Sequence, residues 1–174
     1  MRKAVLVYGI ILFLPLLFNS CQPAVDMNKE KEALISLINE EKKAYFERDT
    51  TLMATLWVHD STARKIYMTQ KGPVLFNGWA EVHAHDMGNA ASEMWDDMED
   101  GKIDFSDYEI NIYHNTALVL CHAKGSFTLK GEDLKGEQER IQHMVKKDGK
   151  WKFDLMAIYN LPEEEESETA EEIQ

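Results

Sequence analysis

His143 is the residue whose type and setting best suit acid–base chemistry. A histidine can accept or donate a proton near neutral pH. A three-residue loop over residues 147–149 would pair His143 with Phe153 and separate apolar from polar side chains on the two strands. That register turns His143 inward among apolar neighbours, where burial lowers the pKa of an imidazole. We therefore predict a neutral base at His143, with a core histidine hydrogen-bonded to a backbone or hydroxyl group as the alternative.

Several aromatic residues are candidates for a ligand pocket that also contains His143. They are Tyr45, Trp57, Trp79 and Trp151. Apolar walls with a few polar groups are typical of small-molecule sites. The alternative for these residues is ordinary packing in the core, which we favour for Trp57. If the pocket is catalytic, Asp60 or Tyr45 is the expected helper of His143.

Two segments rich in histidine and carboxylate suggest a metal site but have the wrong geometry. His83 and His85 lie two positions apart on a predicted helix, so they face different directions and cannot share an ion. Residues 96–107 resemble a calcium loop, but Met98 stands where a ligand is required and Asp107 stands where Glu is wanted. We expect neither a metal ion nor a cofactor.

The chain is acidic, with a formal net charge of −12. Binding of nucleic acid needs clustered Lys and Arg, so we expect no nucleic-acid partner. The sequence has 2 cysteines, Cys21 and Cys121. Cys121 lies in the apolar run 117–123 and is expected to be a small buried hydrophobe. We therefore predict no disulfide within the chain.

Helical and strand periodicities follow one another along the chain. Helices are predicted from Lys29, over residues 51–57 after a cap at Asp49 or Thr50, and over residues 78–94. Strands are predicted over residues 63–69, 73–76, 103–113, 117–129, 137–146 and 151–160. Glu41 and Arg48 lie on the apolar stripe of the first helix, where they either pair with polar groups or extend to water. Helices that precede a largely antiparallel sheet indicate an α+β domain.

Three segments, in this order and spacing, resemble the nuclear transport factor 2-like superfamily, which includes SnoaL-like domains and ketosteroid isomerase. They are Ala44…Arg48-Asp49…Leu52…Leu56-Trp57…Asp60, Gly78…Val82, and Lys147-Asp148-Gly149-Lys150-Trp151-Lys152-Phe153. The resemblance implies a cone-shaped, cystatin-like α+β fold with about three N-terminal helices packed on a curved, mainly antiparallel sheet. It also implies a pocket between helices and sheet, and a homodimer. It carries over no catalytic residue, because the catalytic set of ketosteroid isomerase has no match position by position.

Residues 1–21 resemble the signal peptide of a bacterial lipoprotein. Two basic residues precede an apolar run over residues 4–18, and Cys21 follows Asn19-Ser20. The run is shorter than the roughly 20 residues that a transmembrane helix needs. An uncleaved anchor and ordinary secretion are the alternatives.

The lipoprotein resemblance implies cleavage before Cys21, lipidation of its thiol and a membrane-anchored protein outside the cytoplasm. The default location is the outer membrane, facing the periplasm or the cell surface. We predict a signal peptide over 1–20, a lipidated tether over 21–28, a nuclear transport factor 2-like domain over 29–161 and an acidic disordered tail over 162–174.

The predicted function is the binding of a small, mostly apolar molecule by a cell-envelope lipoprotein. The second hypothesis is a cofactor-independent enzyme of SnoaL or isomerase type with His143 as base. The third is a structural dimerisation module without a ligand. An enzyme would keep polar side chains converging in an open cavity, a binding module would have a mainly apolar cavity, and a structural module would have a filled core.

Overall fold

The computed structural model of the chain describes residues 26–162. The predicted signal peptide, Cys21 and the acidic tail from residue 163 onward lie outside these residues. From Glu32 onward the described chain forms one compact unit. Within residues 26–162, no helix is both long and apolar enough to cross a membrane.

Residues 26–162 contain three α-helices, as predicted. They are α1 (Met27–Phe46), α2 (Thr50–Leu56) and α3 (Trp79–Ala90), and a short 3₁₀ helix, Glu93–Asp96, follows α3. The predicted cap of α2 is confirmed, because the Asp49 side chain accepts a hydrogen bond from the Leu52 N–H at 2.8 Å. Leu34, Leu37 and Ile38 form the apolar stripe by which α1 contributes to the core.

Six strands form one sheet. They are β1 (Arg64–Thr69), β2 (Gly72–Asn77), β3 (Met98–Tyr113), β4 (Thr116–Leu129), β5 (Glu132–Lys147) and β6 (Lys150–Asn160). Their order is β2-β1-β6-β5-β4-β3. The pair β1–β6 is parallel and the other neighbours are antiparallel. The predicted α+β architecture, helices packed on a curved and mainly antiparallel sheet, is confirmed.

The face of the sheet that packs against the helices, here called the inner face, carries the core. In β4, for example, the buried residues Ala117, Val119 and Cys121 lie on this face and alternate with half-buried residues on the other. Trp57 follows α2, pairs with Phe153 of β6 and packs against its ring at 5.5 Å between centroids. The opposite face, here called the outer face, carries the intervening residues.

The predicted register of the β5–β6 hairpin is wrong. The turn is a two-residue Asp148-Gly149 turn in which both residues have positive φ, 52° and 77°, as a type I′ turn requires. Lys146 therefore pairs with Trp151, and Met144 pairs with Phe153.

A bulge at Asp154 in β6 changes the residues that face the core from odd-numbered ones before it to even-numbered ones after it. Met144 pairs with Phe153 but His143 pairs with Leu155, so Asp154 is an extra residue in β6. Trp151 and Phe153 before the bulge and Met156 and Ile158 after it are all buried. On β5 the buried residues are Arg140, Gln142 and Met144, whereas Ile141 is exposed. The sequence pattern was misleading because the inner face of β5 is partly polar and its outer face is partly apolar.

Candidate small-molecule site

A cavity of about 100 Å³ lies between α1 and the inner face of the sheet. Its polar wall combines charged and phenolic side chains: Glu41, Lys42, Tyr45, Lys65, Tyr67, Gln138 and Arg140. Its apolar wall is formed by Phe46, Ile103, Phe105 and Ile158. An apolar surface facing a few convergent polar groups is the usual composition of a small-molecule site.

Lys65, which lines this cavity, forms a buried ion pair with Asp86. Lys65 Nζ lies 2.6 Å from Asp86 Oδ1, and the two side chains are 5% and 9% exposed. Burial disfavours the ammonium ion, but the charges of Tyr67, Asp86 and Glu41 outweigh it and raise the pKa of Lys65 above its ordinary value. Lys65 therefore presents a fixed positive charge to the cavity.

Arg140 supplies a second buried cation. Its Nε and Nη2 donate to Gln138 Oε1 at 3.1 and 3.0 Å, and its guanidinium lies 4.9 Å from the centre of the Phe105 ring. Its Nη1 is 3.4 Å from Glu41 Oε2, which is longer than the roughly 2.7–2.9 Å of a charge-assisted hydrogen bond. Of the two alternatives for Glu41 and Arg48, pairing with polar groups holds for both: Glu41 contacts Arg140, and Arg48 donates to the Ala90 carbonyl and to Asp96.

Tyr67 links the cavity to a histidine on α3. His85 Nε2 lies 3.3 Å from Tyr67 Oη and 3.0 Å from Asn89 Nδ2, and the His85 ring stacks on Phe76 at 4.1 Å. Burial and the charge of Lys65 lower the pKa of His85, against the opposing effect of Asp86. His85 is therefore a neutral imidazole at pH 7, within reach of a hydroxyl group that lines the cavity.

A smaller pocket of about 20 Å³ lies between α1, α2 and α3. Its lining residues are Ala44, Tyr45, Arg48, Asp49, Thr50, Met53, Asp86, Asn89, Ala90 and Trp95. Tyr45 lines both this pocket and the larger cavity. Among the described residues, Asp86 Oδ2, Trp57 Nε1 and both amide atoms of Gln142 are buried without a hydrogen-bond partner.

The aromatic residues predicted to bind a ligand occupy different places. Tyr45 lines the cavity, and burial raises the pKa of its phenol. Trp57 and Trp151 are buried members of the core, as the alternative for Trp57 anticipated. Trp79 is half-buried at the start of α3, where its ring stacks on His59 at 4.2 Å. The structure therefore brings Tyr45 to the cavity and places the three tryptophans in packing contacts.

The two predicted acid–base residues other than Tyr45 lie away from the cavity. The expected inward orientation of His143 is wrong, because its side chain is 37% exposed on the outer face and contacts Asp154 at 2.6 Å. The two-residue turn and the bulge at Asp154 set the register of β5 and β6, and in that register His143 lies on the outer face. Asp60 accepts hydrogen bonds from Lys147 Nζ at 2.6 Å and from the Thr62 N–H, and these bonds lower its pKa.

Sequence reasoning missed the charged residues that dominate the cavity. Lys65, Tyr67, Asp86 and Arg140 were not candidates, although Lys65 alternates with Ala63 and Tyr67 in a predicted strand. A lysine at an inward position of a period-2 strand is a signal of a buried functional cation. The partner of that lysine could not be recognised, because Asp86 is 21 residues away along the chain.

Cys121 and the groups of metal-ligating side chains were the remaining candidates within residues 26–162. No group of three or more His, Cys, Asp or Glu within residues 26–162 is arranged to hold a metal ion. Cys121 is buried, as predicted, and burial raises the pKa of its thiol to about 11. It therefore remains a thiol at neutral pH.

His122 on the outer face is the clearest pH-sensitive contact. Its Nδ1 and Nε2 each lie 3.0 Å from a carboxylate oxygen, of Glu139 and Glu137 respectively. The hydrogen bond to Glu139 and the nearby charges raise the pKa of His122 above 6.5. Since the pKa is raised on folding, the stabilisation is complete below 6.5 and is lost as the pH rises through the folded-state pKa.

We expect His122→Gln to lower the melting temperature at about pH 5.5 and to have little effect at about pH 9, because the imidazolium exists in the folded protein only at the lower pH. Thermal unfolding of both proteins across this range measures the difference. An equal loss at both pH values would contradict the assigned contact.

No family model matches the chain, and no curated protein matches it in sequence. Solved structures resemble it at low identity. One is an NTF2-like protein with a cystatin-like fold from Novosphingobium aromaticivorans, with a TM-score of 0.66, 14% identity, and coverage of 80% of this chain and 86% of that chain. A proposed scytalone dehydratase from the same organism has a TM-score of 0.62 and 16% identity, and covers 76% and 85%.

The S. rosetta CaMKII hub is also similar, with a TM-score of 0.58, 19% identity, and coverage of 75% of this chain and 95% of that chain. These three matches cover 80%, 76% and 75% of this chain. The chain therefore has the nuclear transport factor 2-like, cystatin-like fold.

Proposed function

We propose that the domain binds a small molecule with an apolar body and an anionic head, such as a carboxylate, in the cavity beside α1. The charge of the cavity wall carries this proposal. Three cations, Lys42, Lys65 and Arg140, line the cavity, whereas two carboxylates lie in its wall or pair with it: Glu41 lines it and Asp86 pairs with Lys65. The chain as a whole has a formal net charge of −12. A local excess of positive charge in an acidic protein attracts anions to that place.

The geometry supports a charged head more than the mostly apolar ligand expected from the sequence. Lys65 and Arg140 are both buried cations, and attraction to an anion is stronger in a poorly solvated site than in water. Because the contact between Arg140 Nη1 and Glu41 is long, Nη1 can donate to a better-placed carboxylate while Nε and Nη2 stay bound to Gln138. Phe105 and Ile103, which also line the cavity, can hold the apolar body.

Phenylacetate and its neutral isostere phenylacetamide test the proposal by calorimetric titration. We expect phenylacetate to bind at least about tenfold more tightly, since a paired buried charge contributes more than a neutral hydrogen bond. Arg140→Met should remove this preference, Arg140→Lys should keep part of it, and the exposed control Arg64→Met should leave it unchanged. Equal binding of the two probes, or binding of neither, would overturn the proposal.

We also propose that the domain is held at a membrane through lipidated Cys21. The support is the order of basic, apolar and cysteine residues over positions 1–21. Metabolic labelling with a tagged fatty acid tests this proposal. Cys21→Ala should abolish the label and Cys121→Ala should retain it, because Cys121 is buried with a raised thiol pKa. Equal incorporation of the fatty acid into the wild type and Cys21→Ala would contradict the proposal.

A second candidate function is proton-transfer catalysis of isomerase or dehydratase type. The contact between neutral His85 and Tyr67 favours it, because a neutral imidazole can draw a proton from the cavity through the phenol hydroxyl. Deuterium exchange at the methylene carbon of phenylpyruvate, followed by NMR, is the assay. His85→Gln should slow exchange and His83→Gln should not. No acceleration over buffer by the wild type would exclude this function for the probe.

A homodimer through the outer face is proposed as the assembly. Ile141 and Tyr159 on that face are 45% and 47% exposed, and exposed apolar patches on a sheet are typical of interfaces. Sedimentation of the purified domain should show a dimer that Ile141→Glu converts to a monomer. Val74→Glu, at an equally exposed position on edge strand β2, is the control. A monomeric wild type would contradict the assembly.

A further inference from the structure

We infer that the pocket behind Tyr45 is a subsite for an uncharged hydrogen-bond donor, and that the complete site therefore prefers a hydroxy acid to the same acid without its hydroxyl. This inference rests on the proposed anion site in the adjoining cavity. It names the chemical group with which a ligand would contact Asp86, the partner of Lys65 in the buried ion pair.

Asp86 provides an acceptor that the described protein does not use. Its side chain is 9% exposed, and its Oδ1 accepts from Lys65 Nζ at 2.6 Å. Its Oδ2 is buried without a hydrogen-bond partner among residues 26–162. An ionised carboxylate accepts several hydrogen bonds, and a buried oxygen that accepts none is costly. Asp86 Oδ2 is therefore an acceptor that no donor within residues 26–162 occupies.

The smaller pocket, which Asp86 lines, has room for a single small group. Its volume is about 20 Å³, which is room for about one water-sized group. Most polar groups of the lining already have partners: Arg48 donates to Ala90 and Asp96, the Asp49 carboxylate caps α2, and Trp95 Nε1 donates to the Asn89 carbonyl. A donor that enters this pocket is thus directed to Asp86.

Charge selects a neutral donor over an ammonium ion. Lys65 already balances Asp86, and Arg48 also lines the pocket, so a further cation would meet like charge at short range. An anion would meet the carboxylate of Asp86. A hydroxyl group satisfies Oδ2 without adding charge.

The ion pair positions the two ligand groups relative to one another. Lys65 lines the larger cavity and Asp86 lines the smaller pocket, and Tyr45 lines both. A ligand carboxylate beside Lys65 would therefore lie close to a hydroxyl beside Asp86. A small hydroxy acid has these two groups on neighbouring carbon atoms.

Phenylacetate and mandelate differ by one hydroxyl group and test the subsite directly. We expect one enantiomer of mandelate to bind the wild-type domain about tenfold more tightly than phenylacetate in calorimetric titrations, because a hydrogen bond to a buried charged acceptor is stronger than a neutral one. In protein labelled with 5-fluorotryptophan, mandelate should shift the Trp95 signal, assigned with Trp95→Phe, more than phenylacetate does.

Ala90→Val and Ala91→Val are a matched pair that leaves every charged residue in place. Ala90 lines the pocket, whereas Ala91 is exposed and does not. The mandelate-to-phenylacetate affinity ratio should fall toward one in Ala90→Val and stay at the wild-type value in Ala91→Val. If phenylacetate binds and mandelate binds no more tightly, the hydroxyl subsite is overturned but the proposed anion site is not. An ordered water that fills the smaller pocket would give this result. Binding of neither acid would overturn the proposed function and the inference with it.

Discussion

Replacing Lys65 by Met should lower the free energy of unfolding by about 3–5 kcal/mol, which is typical for removal of one partner from a buried ion pair. The variant leaves the Asp86 carboxylate without its cation at a site where the side chain is 9% exposed. The second oxygen of Asp86 already has no partner in the described part of the chain. Denaturant titration, compared through the midpoint at constant slope, measures the loss.

Lys130→Met is the matched control for that experiment. Lys130 also pairs with an aspartate, Asp97 at 3.5 Å, but the two side chains are 74% and 51% exposed. Exposed pairs contribute about 0–1 kcal/mol because water screens them. The double variant Lys65→Met/Asp86→Leu should recover part of the loss, since it removes both charges. Equal losses for Lys65→Met and Lys130→Met would show that the Lys65–Asp86 pair is not buried in solution.

Deleting Lys152 should destabilise the domain far more than deleting Asp154, although both residues lie in β6. Without Lys152, Trp151 moves to the outer face because side chains alternate along a strand. Trp151 is buried in the core, and truncation of a core Trp or Phe typically costs about 3–5 kcal/mol. We expect a loss of at least that size.

Deleting Asp154 removes the bulge but leaves the inner face intact. Trp151 and Phe153 then alternate regularly with Met156 and Ile158, the same residues that are buried now. The main loss is the contact of Asp154 with His143, which corresponds to about 1 kcal/mol for one hydrogen bond. Urea unfolding of both deletions is the measurement. An equal or larger loss for the Asp154 deletion would contradict the register described for β5 and β6.

Elements that depend on near neighbours were predicted well. The Asp49 cap, the strands on either side of Gly72 and the strand that contains Cys121 all follow from turn chemistry and periodicity within a few residues. The inward placement of His143 failed for a different reason. The hydrophobic pattern predicts that the more apolar face is buried, but the cavity has polar residues such as Arg140 on the buried face.

The sequence by itself determined the order of helices and strands, the α+β class and the burial of Cys121, because these depend on local propensity, periodicity and composition. The tertiary structure alone decided which charges meet. Lys65 and Asp86 are 21 residues apart, and Glu41 and Arg140 are 99 apart. Their contacts depend on the parallel β1–β6 pair, on the bulge at Asp154 and on the packing of α1 and α3. A buried charge is stabilised only by the partner that the fold brings to it, so no segment of the sequence could reveal this site on its own.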